Sequence, residues 1–156
     1  MAFDLTKLHP TNQQFLARRA AGEGLLVNGS WKAARDGKTF DTVDPATGAV
    51  IGKLALASSG DVDEAVAAAG DALAGWKGTT PLNRSKILWA IADIIEENID
   101  ALAELESLDQ GKPLFVGRWA ELPGAVNQFR FFAGQAMNIE GQTLESSIDY
   151  QPAGKQ

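Results

Sequence analysis

Few residues in this chain have the types and spacing that chemistry requires. There is no cysteine and only one histidine, His9. Without cysteine there is no thiolate nucleophile, thiolate metal site or disulfide within these 156 residues. One histidine near a terminus cannot build a multi-histidine metal site, and it reads as a surface residue. Gly111-Lys112 resembles part of a phosphate loop, but that loop needs G-x-x-x-x-G-K-[ST] between a strand and a helix. Here the pair follows a helical stretch and runs into Pro113, so phosphate binding is not supported. No G-x-G-x-x-G occurs, and Gly22 and Gly24 precede a predicted strand rather than a helix. They cannot offer a helix N-terminus to a pyrophosphate. Glu96-Glu97 and Glu104 with Glu106 fall on the polar side of a predicted helix and read as solvated acids, not an acid–base pair. There remains Asp109, an acid near a helix end in Leu108-Asp109-Gln110-Gly111-Lys112-Pro113. A negative charge there opposes the helix dipole, so it calls for a partner, either a cation or a neighbouring N–H.

The elements that must position Asp109 follow from turns and periodicity. Residues 1–24 read as a polar arm carrying a short helix near 13–21. Residues 25–57 read as strands. Leu25-Leu26-Val27 leads into Asn28-Gly29, a strong two-residue hairpin signal. Residues 39–43 alternate as a strand does, Asp44-Pro45-Ala46-Thr47-Gly48 forms a turn, and 49–56 returns. A helix is predicted over 61–76, with Asp61 and Glu64 spaced as a capping pair. Its Val62, Ala65, Val66, Ala69, Leu73 and Trp76 share one face. Pro81 opens a second helical region reaching Asp109, with Asn98 or Asp100 as a bend, Gly111 as C-cap and Pro113 as a stop. A third region, 114–141, accommodates Pro123 in the first turn of a helix starting near Glu121. Residues 143–150 are predicted to form a strand. Trp31, Trp76, Trp89, Trp119, Phe129, Phe131 and Phe132 read as core anchors. The fold class is mixed α/β: N-terminal β-hairpins, three helical regions and a terminal strand.

Composition adds exclusions. Twenty acids against 14 bases give a net charge of −6, the wrong sign for a general nucleic-acid binder. No stretch reaches the ~20 apolar residues of a membrane span, and the N-terminal residues lack the apolar run of a secretory signal. A cytoplasmic location is the expectation.

A series of short motifs carries further information. In order they are Leu26-Val27-Asn28-Gly29-Ser30-Trp31; Val43-Asp44-Pro45-Ala46-Thr47-Gly48; the run from Asp61 to Ala69; Asn83-Arg84-Ser85-Lys86-Ile87-Leu88; Glu106-Ser107-Leu108-Asp109-Gln110-Gly111-Lys112-Pro113; and Phe131-Phe132-Ala133-Gly134 with Gly141-Gln142-Thr143. Each is weak alone, but their order and spacing are specific. The chain resembles the N-terminal third of the NAD(P)-dependent aldehyde dehydrogenase superfamily.

The resemblance implies an incomplete aldehyde-dehydrogenase-like fold. Residues 1–24 would be an arm, 25–141 the N-terminal part of the cofactor-binding domain, and 142–156 the start of the oligomerisation strands. It implies NAD- or NADP-dependent oxidation of an aldehyde to an acid by a cysteine thiolate. The cysteine, the general-base glutamate and the dinucleotide-binding core would all lie beyond residue 156. The chain alone is therefore expected to be inactive and not to bind the cofactor tightly. Its expected partners are the missing remainder of the enzyme and copies of itself. The resemblance also implies a monovalent cation held by Asp109 and a backbone carbonyl at Thr42 or Val43, incomplete without a later ligand. It places Gly124 beside the substrate tunnel, where a glycine suits a bulky or aromatic aldehyde; the same glycine also suits a helix start beside Pro123. The alternative reading is a stand-alone structural or interaction module that reuses this part of the fold.

Overall fold

The computed structural model describes residues 5–20 and 24–143. The predicted strand at 143–150 falls almost entirely outside them. After a 3-10 turn at Leu5–Lys7, helix α1 spans Pro10–Ala20. Two separate antiparallel hairpins follow: β1 (Leu25–Val27) with β2 (Ser30–Lys32), and β3 (Thr39–Val43) with β4 (Val50–Ala55). Helices α2 (Ser59–Gly78), α3 (Pro81–Glu97) and α4 (Ile99–Gln110) come next. A short α5 (Leu114–Val116) continues through a π-helical turn (Gly117–Glu121) into α6 (Leu122–Gln135). No helix among the described residues is long and apolar enough to cross a membrane.

Local chemistry sets most of these boundaries. Asn28 and Gly29 take φ values of 50° and 75°, the left-handed pair that a two-residue hairpin turn demands. In the second hairpin Thr42 pairs with Gly52 but Val43 pairs with Val50. Ile51 is thus an extra residue, and the bulge turns it into the interior, where it is buried. Helix α2 begins earlier than its acids suggested. Ser58 is the N-cap and Asp61 occupies N3, each side chain satisfying the other's backbone N–H. The cap is thus Ser58 with Asp61, not Asp61 with Glu64. Glu64 instead binds Lys32 at 2.6 Å and Arg35 at 2.8 Å. The long second helical region breaks at Asn98, whose side chain donates to Ile94 O at 2.8 Å. Gly111 closes α4 at φ 72°, the conformation for which glycine is preferred at a helix end.

In the third region α6 begins at Leu122 with Pro123 in its first turn, as the sequence reading has it. It ends at Gln135, short of residue 141, and is preceded by α5 and the π-helical turn. The Leu122 N–H bonds to Gly117 O, five residues back, so the wide turn lies just ahead of the proline. A ring that cannot serve a tight i→i−4 ladder is tolerated there.

Large aromatic side chains do not make the core. Trp31, Trp76, Trp89, Trp119, Phe131 and Phe132 are all exposed, Trp119 at 80%. The apolar face of α2 is open as well, with Val66 66% exposed. Where the helices meet, the interior is built mainly from small residues: Ala92 on α3 and Ala133 on α6 are fully buried, beside Ala101, Ala103 and Val126. Alanine lets α3 and α6, the most extensively packed helix pair, approach closely. Arg130 staples that pair from outside. It reaches Asp93 at 3.0 Å and Glu96 at 2.5 Å, and lies over the Trp89 ring at 5.5 Å.

Among the described residues of the N-terminal arm, the helix is docked. Helix α1 packs on β4 and α4, burying Leu16 and Asn12.

Candidate functional site

The second hairpin brings Thr42 to the C-terminal end of α4. There the Thr42 hydroxyl donates to Asp109 Oδ1 at 3.0 Å, across 67 residues of sequence. The turn after β3 packs against the same helix end: a Cβ on Gly111 would lie 2.9 Å from Pro45 Cγ. That turn is rigid, because the buried Asp44 accepts from Ala46 N at 3.0 Å and from the Thr47 hydroxyl at 2.6 Å. These bonds, the Thr47 hydroxyl first, hold the Asp44 carboxyl below its ordinary range.

Asp109 is exposed and lies in the last turn of α4, where the helix dipole is negative. A threonine hydroxyl gives it a hydrogen bond but no positive charge. This hydroxyl is a partner that the sequence did not suggest, beside the cation or N–H expected there. Val43 stands at the bulge with its side chain exposed, so any part it takes is through its backbone. A carboxylate and a hydroxyl are hard oxygen donors, of the kind alkali and alkaline-earth cations accept. Among the described residues no three His, Cys, Asp or Glu side chains converge. A cation at Asp109 would therefore complete its shell with neutral oxygens. Thr42 and Asp109 also line a cavity of about 520 Å³ whose walls include Phe15, Leu16, Ile51 and Leu105.

Lys112 is committed elsewhere. Its ammonium binds Glu106 at 2.9 Å and also Glu121. The hydrogen bond to Glu121, followed by that to Glu106, raises the lysine above its ordinary range, and Lys112 lowers Glu121 in return. Gly111-Lys112 is thus the start of an ion-pair cluster joining α4 to the π-helical turn. Glu104 and Glu106 are likewise partnered rather than simply solvated: Glu104 accepts from Asn12 and from the His9 N–H. His9 itself is exposed.

Gly124 lies in the first turn of α6, and a Cβ there would meet nothing within 4 Å. For a dinucleotide the described residues do not fit. They contain two antiparallel hairpins and no parallel strand leading through a glycine turn into a helix, the arrangement that cradles a pyrophosphate. Asn12 escaped sequence reasoning. The available signals were Pro10 at a helix start and the apolar pair Phe15-Leu16, which mark a helix with a buried side.

This arrangement of two hairpins followed by a helical array is shared with solved aldehyde dehydrogenases. The NAD+ complex structure of aldehyde dehydrogenase from Bacillus cereus superposes with a TM-score of 0.84 and 36% identity, over 92% of this chain and 29% of that one. The sequence profile of the aldehyde dehydrogenase family matches residues 31–155, and the chain belongs to that family. An aldehyde dehydrogenase from Alternaria alternata is 41% identical over 127 residues, covering 81% of this chain and 26% of that protein. Aldehyde dehydrogenase family 2 member C4 from Arabidopsis thaliana is 42% identical over 123 residues, covering 78% and 25%. The chain thus spans about a quarter of the length of the curated relatives it matches.

Proposed function

We propose that this chain is the amino-terminal segment of an NAD(P)-dependent aldehyde dehydrogenase, a cytoplasmic homo-oligomer that oxidises an aldehyde to a carboxylic acid. The supporting observation is agreement of fold and sequence, in register, with one contiguous quarter of the relatives. In this reading residues 1–24 are an N-terminal arm, residues 25–141 contribute to the cofactor-binding domain, and 142–156 begin the oligomerisation strands. The chain carries no cysteine and its described residues offer no dinucleotide site. Nucleophile, general base and cofactor loop therefore come from polypeptide outside these residues, and the chain alone does not turn over. Asp109, with Thr42 and the Val43 backbone, holds a structural monovalent cation whose remaining ligands come from that polypeptide. Its role is to neutralise a carboxylate at a negative helix end. Gly124 leaves room for a bulky aldehyde.

The test has two arms. Isothermal titration with NAD and an NADH absorbance assay with an aromatic aldehyde should show neither saturable binding nor turnover by the chain alone. Co-expression with a polypeptide carrying the remaining three-quarters of an aldehyde dehydrogenase should yield a stable complex with aldehyde-dependent NADH formation. Tight NAD binding by the chain alone would contradict the reading. Failure of the two polypeptides to associate would favour the stand-alone interaction module.

A further inference from the structure

We infer that helix α1 is a spacer that fixes the separation between the β3–β4 hairpin and α4, and that Asn12 is the positioning residue that seats it. The inference deepens the cation reading, since the distance it sets is that between Thr42 and Asp109.

One end of α1 is tied to α4. Asn12 is 3% exposed, and its Nδ2 donates to Ala101 O at 2.7 Å and to Glu104 Oε2 at 2.8 Å. The same Glu104 oxygen accepts the His9 N–H at 2.8 Å. A carboxylate thus sits at the positive end of α1, which favours the docked helix. One turn further on, Leu16 meets the hairpin. A Cβ built on Gly52 would lie 3.7 Å from Leu16 Cδ2 and 3.8 Å from Thr42 Cγ2, and Gly52 is the residue paired with Thr42. Asn12 and Leu16 are four residues apart, hence on one face of the helix. That face bridges the hairpin rung holding Thr42 and the helix holding Asp109.

The direct link between hairpin and helix is slender by comparison. It includes the Thr42–Asp109 hydrogen bond and the close approach of Pro45 to Gly111. An exposed hydrogen bond holds a hairpin in place only weakly, because water competes for both of its partners. The buried amide and Leu16 supply the rest, and Gly52 leaves room for Leu16 to approach.

The natural chain contains no cysteine, so an engineered pair reports proximity without background. Thr42→Cys with Asp109→Cys should form a disulfide readily in a glutathione buffer, scored by mass. Adding Asn12→Ala should lower the effective concentration of the two thiols by about tenfold or more and speed tryptic cleavage at Arg18. The exposed-site control Gln14→Ala should change neither. Faster cleavage at Arg18 with undiminished disulfide formation would overturn the inference. Native-state hydrogen exchange on the unaltered chain gives a second measurement, independent of whether Asn12→Ala folds. The amides of α1 and of the Thr42–Gly52 rung should open together, and separate opening would also overturn the inference. The thiol pair replaces the carboxylate and needs no cation, so this result stands apart from the cation reading. That reading is tested by sodium- and potassium-dependent melting of the parent against Asp109→Asn.

Discussion

Replacing Gly111 by alanine tests whether the end of α4 is braced by the turn that follows β3. Gly111 sits at φ 72°, where a side chain costs about 1–2 kcal/mol. Its Cβ would also lie 2.9 Å from Pro45 Cγ, inside the roughly 3.5–4.0 Å at which carbon atoms rest. Overpacking of this kind costs about 1–3 kcal/mol, so the sum is roughly 2–5 kcal/mol. Gly48 is the control. Its φ is 70° and a Cβ there meets nothing within 4 Å, so Gly48→Ala carries the backbone cost alone. Urea unfolding followed by tryptophan fluorescence, at one fixed protein concentration, should place Gly111→Ala below Gly48→Ala by about 1–3 kcal/mol. For a chain of this size each 1 kcal/mol corresponds to about 2–4 °C in melting temperature. In a double-mutant cycle, Pro45→Ala removes the offending Cγ, and the coupling to Gly111→Ala should be about 1–3 kcal/mol. Equal stabilities for the two glycine variants, or a coupling near zero, would refute the bracing contact.

Other expectations concern pH, capping and association. The Ser58 hydroxyl and then the Ser58 N–H hold the Asp61 carboxyl below its ordinary range, with Arg35 assisting. Its stabilising contribution is complete above the unfolded pKa of about 3.9 and is lost as pH falls through the lower folded value. Asp44, Glu64 and Glu121 share that sign, so stability should drop steeply below about pH 4 and less steeply in Asp61→Asn; equal slopes would sink the assignment. Removing the cap with Ser58→Ala should cost about 1 kcal/mol in the same urea assay, and no loss would argue against the capping box. The open apolar faces of α2 and α6 should drive self-association in light scattering. A monomer with a sharp two-state melt would contradict that.

What the sequence revealed follows the range of the forces involved. The Asn28-Gly29 turn, the break at Asn98 and the Gly111 stop act within a few residues, and each was legible. Ser58 was not, because Asp61 and Glu64 offered a competing pair with the same spacing. Hydrophobic periodicity identified the face holding Val62, Val66 and Leu73 but carries no information about what covers it. That face is exposed among the described residues. The candidate site was half legible. Asp109 declared itself as an acid at the wrong end of a helix, and the family resemblance pointed to residues 42 and 43. The Thr42 hydroxyl as hydrogen-bond donor, and Asn12 anchored to Ala101 across 89 residues, arise only from packing.

The π-helical turn at Gly117–Glu121 has a consequence for phase. Such a turn is a helix carrying one residue more than its α ladder can use. Each residue advances an α-helix by about 100°, and the wide turn takes up the surplus, so the residue pattern after it is shifted by one position relative to the pattern before. Ahead of the turn's end, Trp119 points to solvent; beyond it, Val126 and Ala133 point inward. Deleting one residue between 117 and 121 would close the wide turn to α spacing and leave the second half facing as it does now.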